Sequence, residues 1–304
     1  NAVKIQTYTP DMMTLKKGKA NIKIKSGEWK GFKLWDLYNL GQTKLKWHKE
    51  IFQYAKKKKI KLFSTPFSEN AVKFLETLKC QAYKISSFEM NDLNLIKNVA
   101  QTKKPLIIST GLASFKEISE AVKIARKYGC KDLTLLYCIS NYPSQKKDFN
   151  LHNIKFLKKK FNCRVGLSDH SIGSEIAEYS LILGAKVFEK HIALKNQKKG
   201  LDLSFSSIGY EFKKYCKKIN NLFNLINNKK LTKSKSELKN KIFRRSIYAI
   251  KNINIGENLT NENIQTYRPD IGLSAASYLK IIGKKSPIKI KKYSPLPKNF
   301  ISLL

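Results

Sequence analysis

Six apolar runs recur along the chain at nearly even spacing, and this rhythm most constrains the fold. They begin near residues 60, 82, 105, 133, 164 and 186, at separations of 22, 23, 28, 31 and 22 residues. They read IKLFSTP, AYKISS, PLIISTG, LTLLYCIS, RVGLSDH and KVFEKHI. The runs are continuous and not alternating, as expected of strands covered on both faces of a parallel sheet. Apolar residues at helical spacing predict helices over 70–78, 93–101, 115–128, 153–161 and 174–183, with another over 211–226 after the last strand. Alternating β and α segments of this length predict an α/β fold, a (β/α)8 TIM barrel. Residues 1–7 add a strand at the start, which makes seven. A closed barrel of this type has eight, so the first βα unit is expected upstream of Asn1.

The other segments fit around this frame. Residues 9–42 are a long, poorly periodic connection with Pro10, Gly18, Gly27 and Gly31 and three aromatics, Trp29, Phe32 and Trp35. A connection that long in a compact domain is usually functional. A helix is expected over 45–55. Residues 229–242 are polar and rich in Lys and Ser, the pattern of a linker. The expected organisation is a barrel over 1–228, a linker over 229–242 and a small unit over 243–304. Strands are predicted in the last of these over 245–250 and 287–290, and a short helix over 275–282.

The net charge of +38 invites a nucleic-acid reading. Yet only five of the 60 basic residues are Arg, the residue favoured for phosphate and base recognition. The lysines are spread over the surfaces of nearly all the predicted helices. The charge is therefore read as a solvated face that raises the local concentration of anionic substrates, without a specific nucleic-acid partner. Five dispersed cysteines, no signal peptide and no run of about 20 apolar residues point to a reduced, cytoplasmic setting away from the membrane.

In such barrels chemistry lies at the C-terminal strand ends. Those ends carry Lys4 and Gln6, Thr65, Lys84 and Ser87, Ser109, Ser140, Ser168 and Glu189. Two lysines and a ring of hydroxyls suit a small phosphorylated anion, which needs charge neutralisation and donors to its oxygens. Two of the four histidines, His170 and His191, end consecutive parallel strands. Neighbouring strands lie about 4.8 Å apart, so the two imidazoles can share one ion. Two unrelated histidines are the alternative reading. Neutral imidazoles completed by water and substrate oxygens suit Mn²⁺, with Mg²⁺ as the other candidate. Glu189 shares a strand face with His191. It is read either as orienting a metal-bound water or as a salt-bridge partner of a strand lysine.

These motifs together resemble the sialic acid synthase family. The resemblance rests on Ala2-Val3-Lys4-Ile5-Gln6-Thr7, Ser64-Thr65-Pro66-Phe67, Tyr83-Lys84-Ile85, Ser109-Thr110-Gly111, Gly166-Leu167-Ser168-Asp169-His170 and Glu189-Lys190-His191. Arg244-Arg245-Ser246, Gly256-Glu257 and Arg268-Pro269 are similar to that family's antifreeze-protein-like (SAF) domain. Within the family, Gln6 to Asp11 and Ser86-Ser87-Phe88-Glu89-Met90-Asn91-Asp92 look most like the pseudaminic acid synthase branch. The resemblance implies condensation of phosphoenolpyruvate with an acetamido-deoxy hexose, of the 2,4-diacetamido-2,4,6-trideoxy type, to a nonulosonic acid. N-acetylneuraminate or legionaminate synthesis is the alternative. It further implies that Lys4, Thr65, Lys84, Ser87, Ser109, Ser140 and Ser168 bind phosphoenolpyruvate. Gln6, Glu89, Tyr142 and Asp202 face the sugar, and Glu89, Gln6 and Glu189 serve catalysis. A divalent metal sits on His170 and His191. Arg268 reaches the sugar from the partner subunit of a domain-swapped homodimer. The acidic residue that the family carries on its first barrel strand has no counterpart in these 304 residues.

Overall fold

A computed structural model describes residues 1–227 and 232–304. The chain divides into two compact units, Asn1–Asn227 and Asn228–Leu304. The expected boundary at residue 228 and the first residues of the expected linker lie outside the described residues.

In the first unit seven parallel strands form one sheet in sequence order. They are β1 (Ala2–Thr7), β2 (Lys61–Pro66), β3 (Tyr83–Ile85), β4 (Leu106–Ser109), β5 (Leu133–Cys138), β6 (Arg164–Asp169) and β7 (Val187–Lys190). Each begins within a residue of its predicted start. Helices α1 (Pro10–Met13), α2 (Leu34–Gly41), α3 (Leu45–Lys57), α4 (Glu69–Thr77), α5 (Leu93–Gln101), α6 (Phe115–Lys127), α7 (His152–Phe161), α8 (Glu175–Ile182) and α9 (Gly209–Ile226) connect and cover them. The starts of α4, α5 and α6 are fixed by Ser68, Asp92 and Ser114, whose side chains accept from backbone N–H groups of the first turn. Ser114 and Glu117 complete a capping box.

Helix α2 corrects the expectation of an irregular connection over 9–42. It is eight residues long and its N-terminus, Lys33, has no side-chain cap. Leu34, Leu37 and Tyr38 stand at helical spacing, but the element is about two turns long and buries Leu37 alone, too short a stretch for periodicity to mark a helix.

Side chains alternate across the sheet. One face sends Tyr83, Ile85, Leu106, Ile108, Leu133, Leu135, Tyr137, Val165 and Leu167 into the core shared with the helices. The opposite face carries Lys4, Thr65, Lys84, Ser109, Cys138, Ser168 and Glu189, by the register of the paired strands. In a flat sheet β1 and β7 would stand roughly 29 Å apart. Instead Lys4 Nζ of β1 lies 2.9 Å from Glu189 Oε2 of β7. The sheet is therefore curled into a barrel-like half-closed wall with the polar face inside. Gly166 makes part of that curl feasible. A Cβ there would stand 2.1 Å from the Val187 carbonyl oxygen and 2.7 Å from Leu136 Cδ2.

Beyond β7, β8 (Ile192–Ala193) and β9 (Ser207–Ile208) pair in parallel and clamp the two ends of segment 194–206. Ser207 N–H donates to the His191 carbonyl at 2.8 Å.

The second unit contains α10 (Lys235–Lys239), β10 (Ser246–Ala249), β11 (Ile264–Tyr267), α11 (Tyr278–Ile281) and α12 (Phe300–Leu303). Strands β10 and β11 pair antiparallel. Strand β11 has no counterpart in the sequence reading, and the strand predicted over 287–290 is reduced to one bridge, Ile253 to Ile290. Only Ile264 of β11 is buried, whereas Gln265 and Tyr267 are exposed, so apolar patterning could not reveal it. A small core nonetheless closes around Ile247, Ile253, Leu259, Ile264, Leu296 and Phe300.

Candidate active site

Strand curvature brings residues distant in sequence onto one carboxylate. Glu189 Oε2 accepts from Lys4 Nζ at 2.9 Å, while Oε1 accepts from Ser168 Oγ at 2.7 Å and lies 3.5 Å from Lys84 Nζ. Burial opposes ionisation of Glu189, but Lys4, Lys84 and the Ser168 hydroxyl outweigh it and hold the carboxyl well below its usual range. Burial pushes the Lys84 ammonium down, against the pull of Glu189. Of the two roles open to Glu189 in the sequence, the ion pair is the one this arrangement displays.

Around this centre stand the other hydroxyls. Ser87 and Ser140 hydrogen-bond to each other at 2.8 Å. The Thr65 and Ser109 hydroxyls are buried, with the residues 1% and 2% exposed, and neither has a hydrogen-bond partner among the described residues. Buried polar groups are nearly always paired. Two unpaired hydroxyls beside two lysines therefore mark a place for ligand oxygens. Cys138 is buried beside Ser140, with its thiol pushed up by burial, so it packs the barrel and is no nucleophile.

Gly111 abuts this ring. A Cβ there would meet Ser140 Oγ at 2.2 Å, Cys138 Sγ at 2.7 Å and Ser87 Cβ at 3.2 Å. Gly111→Ala should break the Ser87–Ser140 pair and weaken the binding of inorganic phosphate about tenfold, the worth of one good hydrogen bond to an anion. Calorimetric titration of parent and variant decides it. A variant whose affinity for phosphate stays within twofold of the parent would remove Ser87 and Ser140 from anion binding.

His170 and His191 meet with ring centroids 5.5 Å apart. His170 Nδ1 lies 2.9 Å from the Ile139 carbonyl oxygen, and His191 Nδ1 lies 3.3 Å from Asp202 Oδ2. Each acceptor favours a proton on Nδ1 and turns Nε2 to the other side of its ring, where that of His170 lies 3.4 Å from Ser168 Oγ, an arrangement similar to the outer shell of metal-ligating histidines. Burial, with His191 nearby, lowers the His170 pKa to about 4, so its imidazole is neutral at physiological pH. Among the described residues no cluster of three or more His, Cys, Asp or Glu is placed to hold a metal. The pair thus fits a divalent ion as an open two-imidazole site, with its other positions left to water and substrate. Asp202, expected on the sugar, is here the partner of His191.

Aromatic rings wall this pair. Tyr142 lies 4.4 Å from His170 and 5.1 Å from Phe205, and Phe205 lies 5.1 Å from His191, all centroid to centroid. Trp29 lies 5.4 Å from Tyr142. Trp29 and Phe205 are additions to the expected set. The one signal for Trp29 was its place in an overlong connection.

Glu89 ends a 3-10 turn, Ser87–Glu89, and accepts a hydrogen bond from the Ser86 hydroxyl. Burial holds its carboxyl above the usual carboxylate range, opposed by the Ser86 bond and by Lys84. Gln6 is half-buried on the same strand face as Lys4, in register with Thr65. Asp169 faces the other way. It pairs with Lys190 at 3.2 Å and accepts from Ser171 N–H at 2.9 Å. Arg268 belongs to the second unit, directly after β11.

The chain is similar to known proteins over nearly its whole length. The chain is 41% identical over 291 residues to the pseudaminic acid synthase of Campylobacter jejuni, covering 96% of this chain and 85% of that one. It is 39% identical over 295 residues to the pseudaminic acid synthase of Helicobacter pylori, covering 97% and 87%. Among solved structures, a putative spore coat polysaccharide biosynthesis protein E from Chromobacterium violaceum shares the fold, with a TM-score of 0.79 at 22% identity, covering 97% of this chain and 87% of that one. The profile of the NeuB family matches residues 1–231, and that of the SAF domain matches residues 244–302. The curled parallel sheet, its lysine and histidine strand ends and these matches together place the chain in the NeuB family, with an SAF domain at its C-terminal end.

Proposed function

We propose that the chain condenses phosphoenolpyruvate with an acetamido-deoxy hexose, foremost 2,4-diacetamido-2,4,6-trideoxy-altrose, to a nonulosonic acid of the pseudaminic acid type, releasing phosphate. The observation that carries the reading is the convergence of Lys4, Lys84 and Ser168 on Glu189, with Thr65 and Ser109 unpaired beside them. Similarity to two pseudaminic acid synthases over nearly the whole chain supports the choice of product.

In this reading the ammonium groups of Lys4 and Lys84 neutralise the phosphate and carboxylate, and Thr65, Ser87, Ser109, Ser140 and Ser168 donate to their oxygens. C3 of phosphoenolpyruvate attacks the aldehyde carbon of the open-chain sugar and forms the new C–C bond. Water adds at C2, the C2–O bond to phosphate breaks, and C2 becomes the ketone. Glu89, with its raised pKa, is suited to hand a proton to the oxygen left by the aldehyde. Glu189, held ionised between Lys4 and Lys84, is suited to orient the incoming water by accepting its hydrogen bond. A divalent ion on His170 and His191, Mn²⁺ before Mg²⁺, would polarise the aldehyde or acidify that water. Gln6, Tyr142 and Asp202 orient the sugar. Arg268 of the partner subunit completes the site in a domain-swapped homodimer, as the family resemblance implies. No helix among the described residues is long and apolar enough to cross a membrane, which agrees with soluble substrates.

Phe88 separates this reading from sialic or legionaminic acid synthesis. It is 55% exposed and adjoins Glu89, so an apolar face is offered where the sugar binds. A deoxy carbon or an acetamido methyl fits that face better than a hydroxyl. Phosphate release should be faster with the diacetamido trideoxy hexose than with N-acetylmannosamine, by at least the tenfold that one buried methyl supports. Preference for N-acetylmannosamine would overturn the substrate, and no phosphate release with any amino sugar would overturn the reaction.

A further inference from the structure

The long connection after β1 folds into a hairpin over residues 22–34. Ile24 N–H donates to Phe32 O and Gly31 N–H to Ile24 O, each at 2.9 Å. Its tip carries Glu28 and Trp29, and the tip is tied to segment 194–206 by two hydrogen bonds. Trp29 Nε1–H donates to the Leu201 carbonyl at 2.9 Å, and Ser204 Oγ–H donates to the Glu28 carboxylate at 2.6 Å. The Trp29 ring also packs against Tyr142 at 5.4 Å and Phe205 at 6.4 Å. Segment 194–206 in turn supplies two of the groups that face His191, the carboxylate of Asp202 and the ring of Phe205, beside His170 and Tyr142.

We propose that Trp29 is a positioning residue that latches segment 194–206 across the barrel mouth and so seats Asp202 and Phe205 on His191 and Tyr142 on His170. Within segment 194–206, residues 201–206 are packed around the buried Phe205 and the turn Leu203–Phe205, whereas the part before them has little to hold it. Its residues 194–200 are exposed, with the three lysines Lys195, Lys198 and Lys199 among them, and the β8–β9 pair fixes only its ends. A tip residue with one directional donor and one flat apolar ring sets both the height and the angle of the loop beneath it. Its effect on chemistry runs through the histidine pair. A carboxylate that leaves His191 Nδ1 no longer fixes which ring nitrogen is free, and outer-shell partners of this kind are worth 10–100-fold in metal affinity or activity.

The kinetic part rests on the proposed condensation, whereas the latch itself does not, and the test separates the two. Full-length protein, Trp29→Ala and Trp29→Phe are digested with trypsin under native conditions, and cleavage at Lys195, Lys198 and Lys199 is timed by mass spectrometry. Release of the latch should speed cleavage there about fivefold in Trp29→Phe, which keeps a ring but loses the donor, and further in Trp29→Ala. Mn²⁺ binding, read from the free-ion electron paramagnetic resonance signal without substrates, should weaken about tenfold in Trp29→Ala. The KM for the sugar should rise about tenfold while that for phosphoenolpyruvate stays within twofold. If Trp29→Ala does not fold, Trp29→Phe alone decides. Unchanged cleavage at the three lysines would overturn the latch, and equal rises in both KM values would overturn the positioning role. A protein that turns over no sugar yet shows faster cleavage and weaker Mn²⁺ binding in the variants would sustain the latch and overturn the reaction.

Discussion

Glu189→Gln is expected to melt about 10 °C below the parent and to lose turnover on the order of 10²-fold or more. The amide keeps the shape of the carboxylate and can still accept from Ser168, but it carries no charge. Lys4 and Lys84 are then two cations in one nearly buried place, Lys84 with only 2% of its side chain exposed. Removing one partner of a buried pair costs about 3 kcal/mol or more, because the charge left behind has lost its water. For a unit of this size each kcal/mol shifts the melting point by about 2–4 °C. The pH dependence follows from the same group. Its folded pKa lies below its ordinary value of 4.5, so its stabilisation is complete above that value and is lost as the pH falls below it. The gap between parent and variant should therefore narrow on acidification. Inorganic phosphate should restore the variant more than it raises the parent, since an anion replaces the missing carboxylate. Calorimetry across pH and phosphate concentration measures all of this. A variant that melts within 2 °C of the parent at neutral pH would show that the lysines are not held by Glu189.

The second large effect is expected at the histidine pair. His191→Ala should lower metal-dependent turnover roughly 10³-fold, since a Lewis acid at a carbonyl oxygen supplies several kcal/mol. His170→Ala should do the same, and the double variant should be hardly worse than either, because ligands of one ion act as a unit. The measurement is phosphate release after chelation and stepwise return of Mn²⁺ or Mg²⁺. Chelated, metal-restored His191→Ala with parental turnover would refute the metal role. Melting supplies the control, since His191 is partly exposed and its loss should leave the fold intact.

The two predictions differ in how far the sequence supported them. His170 and His191 end consecutive parallel strands, so their proximity followed from the βαβ connection itself. Glu189 shared a strand with His191, yet its partner was undecided, because Lys4 is 185 residues away in the chain. The strand-end hydroxyls were legible for a similar reason. A run that stops being apolar at Thr65 or Ser168 reports that the strand has reached its mouth. Which of those hydroxyls are paired was not legible. Ser168 is taken by Glu189, Ser87 and Ser140 take each other, and Thr65 and Ser109 remain unpaired. Resemblance expected Asp202 on the sugar, and only the folded chain shows that its carboxylate also lies 3.3 Å from His191 Nδ1.

What the amino-acid sequence determined by itself was the order and period of the elements. Apolar periodicity reports which face of each segment is buried, and that is a local property. It yielded seven strands, the helices between them and the ends where polar residues gather. The tertiary structure decided what those ends do to one another. Curling of the sheet carried β1 across to β7, so one carboxylate came to neutralise two lysines from different strands. Folding of the 22–34 hairpin set Trp29 against Tyr142 and the Leu201 carbonyl. Neither contact leaves a periodic trace, because each joins segments whose separation along the chain bears no relation to their distance in space.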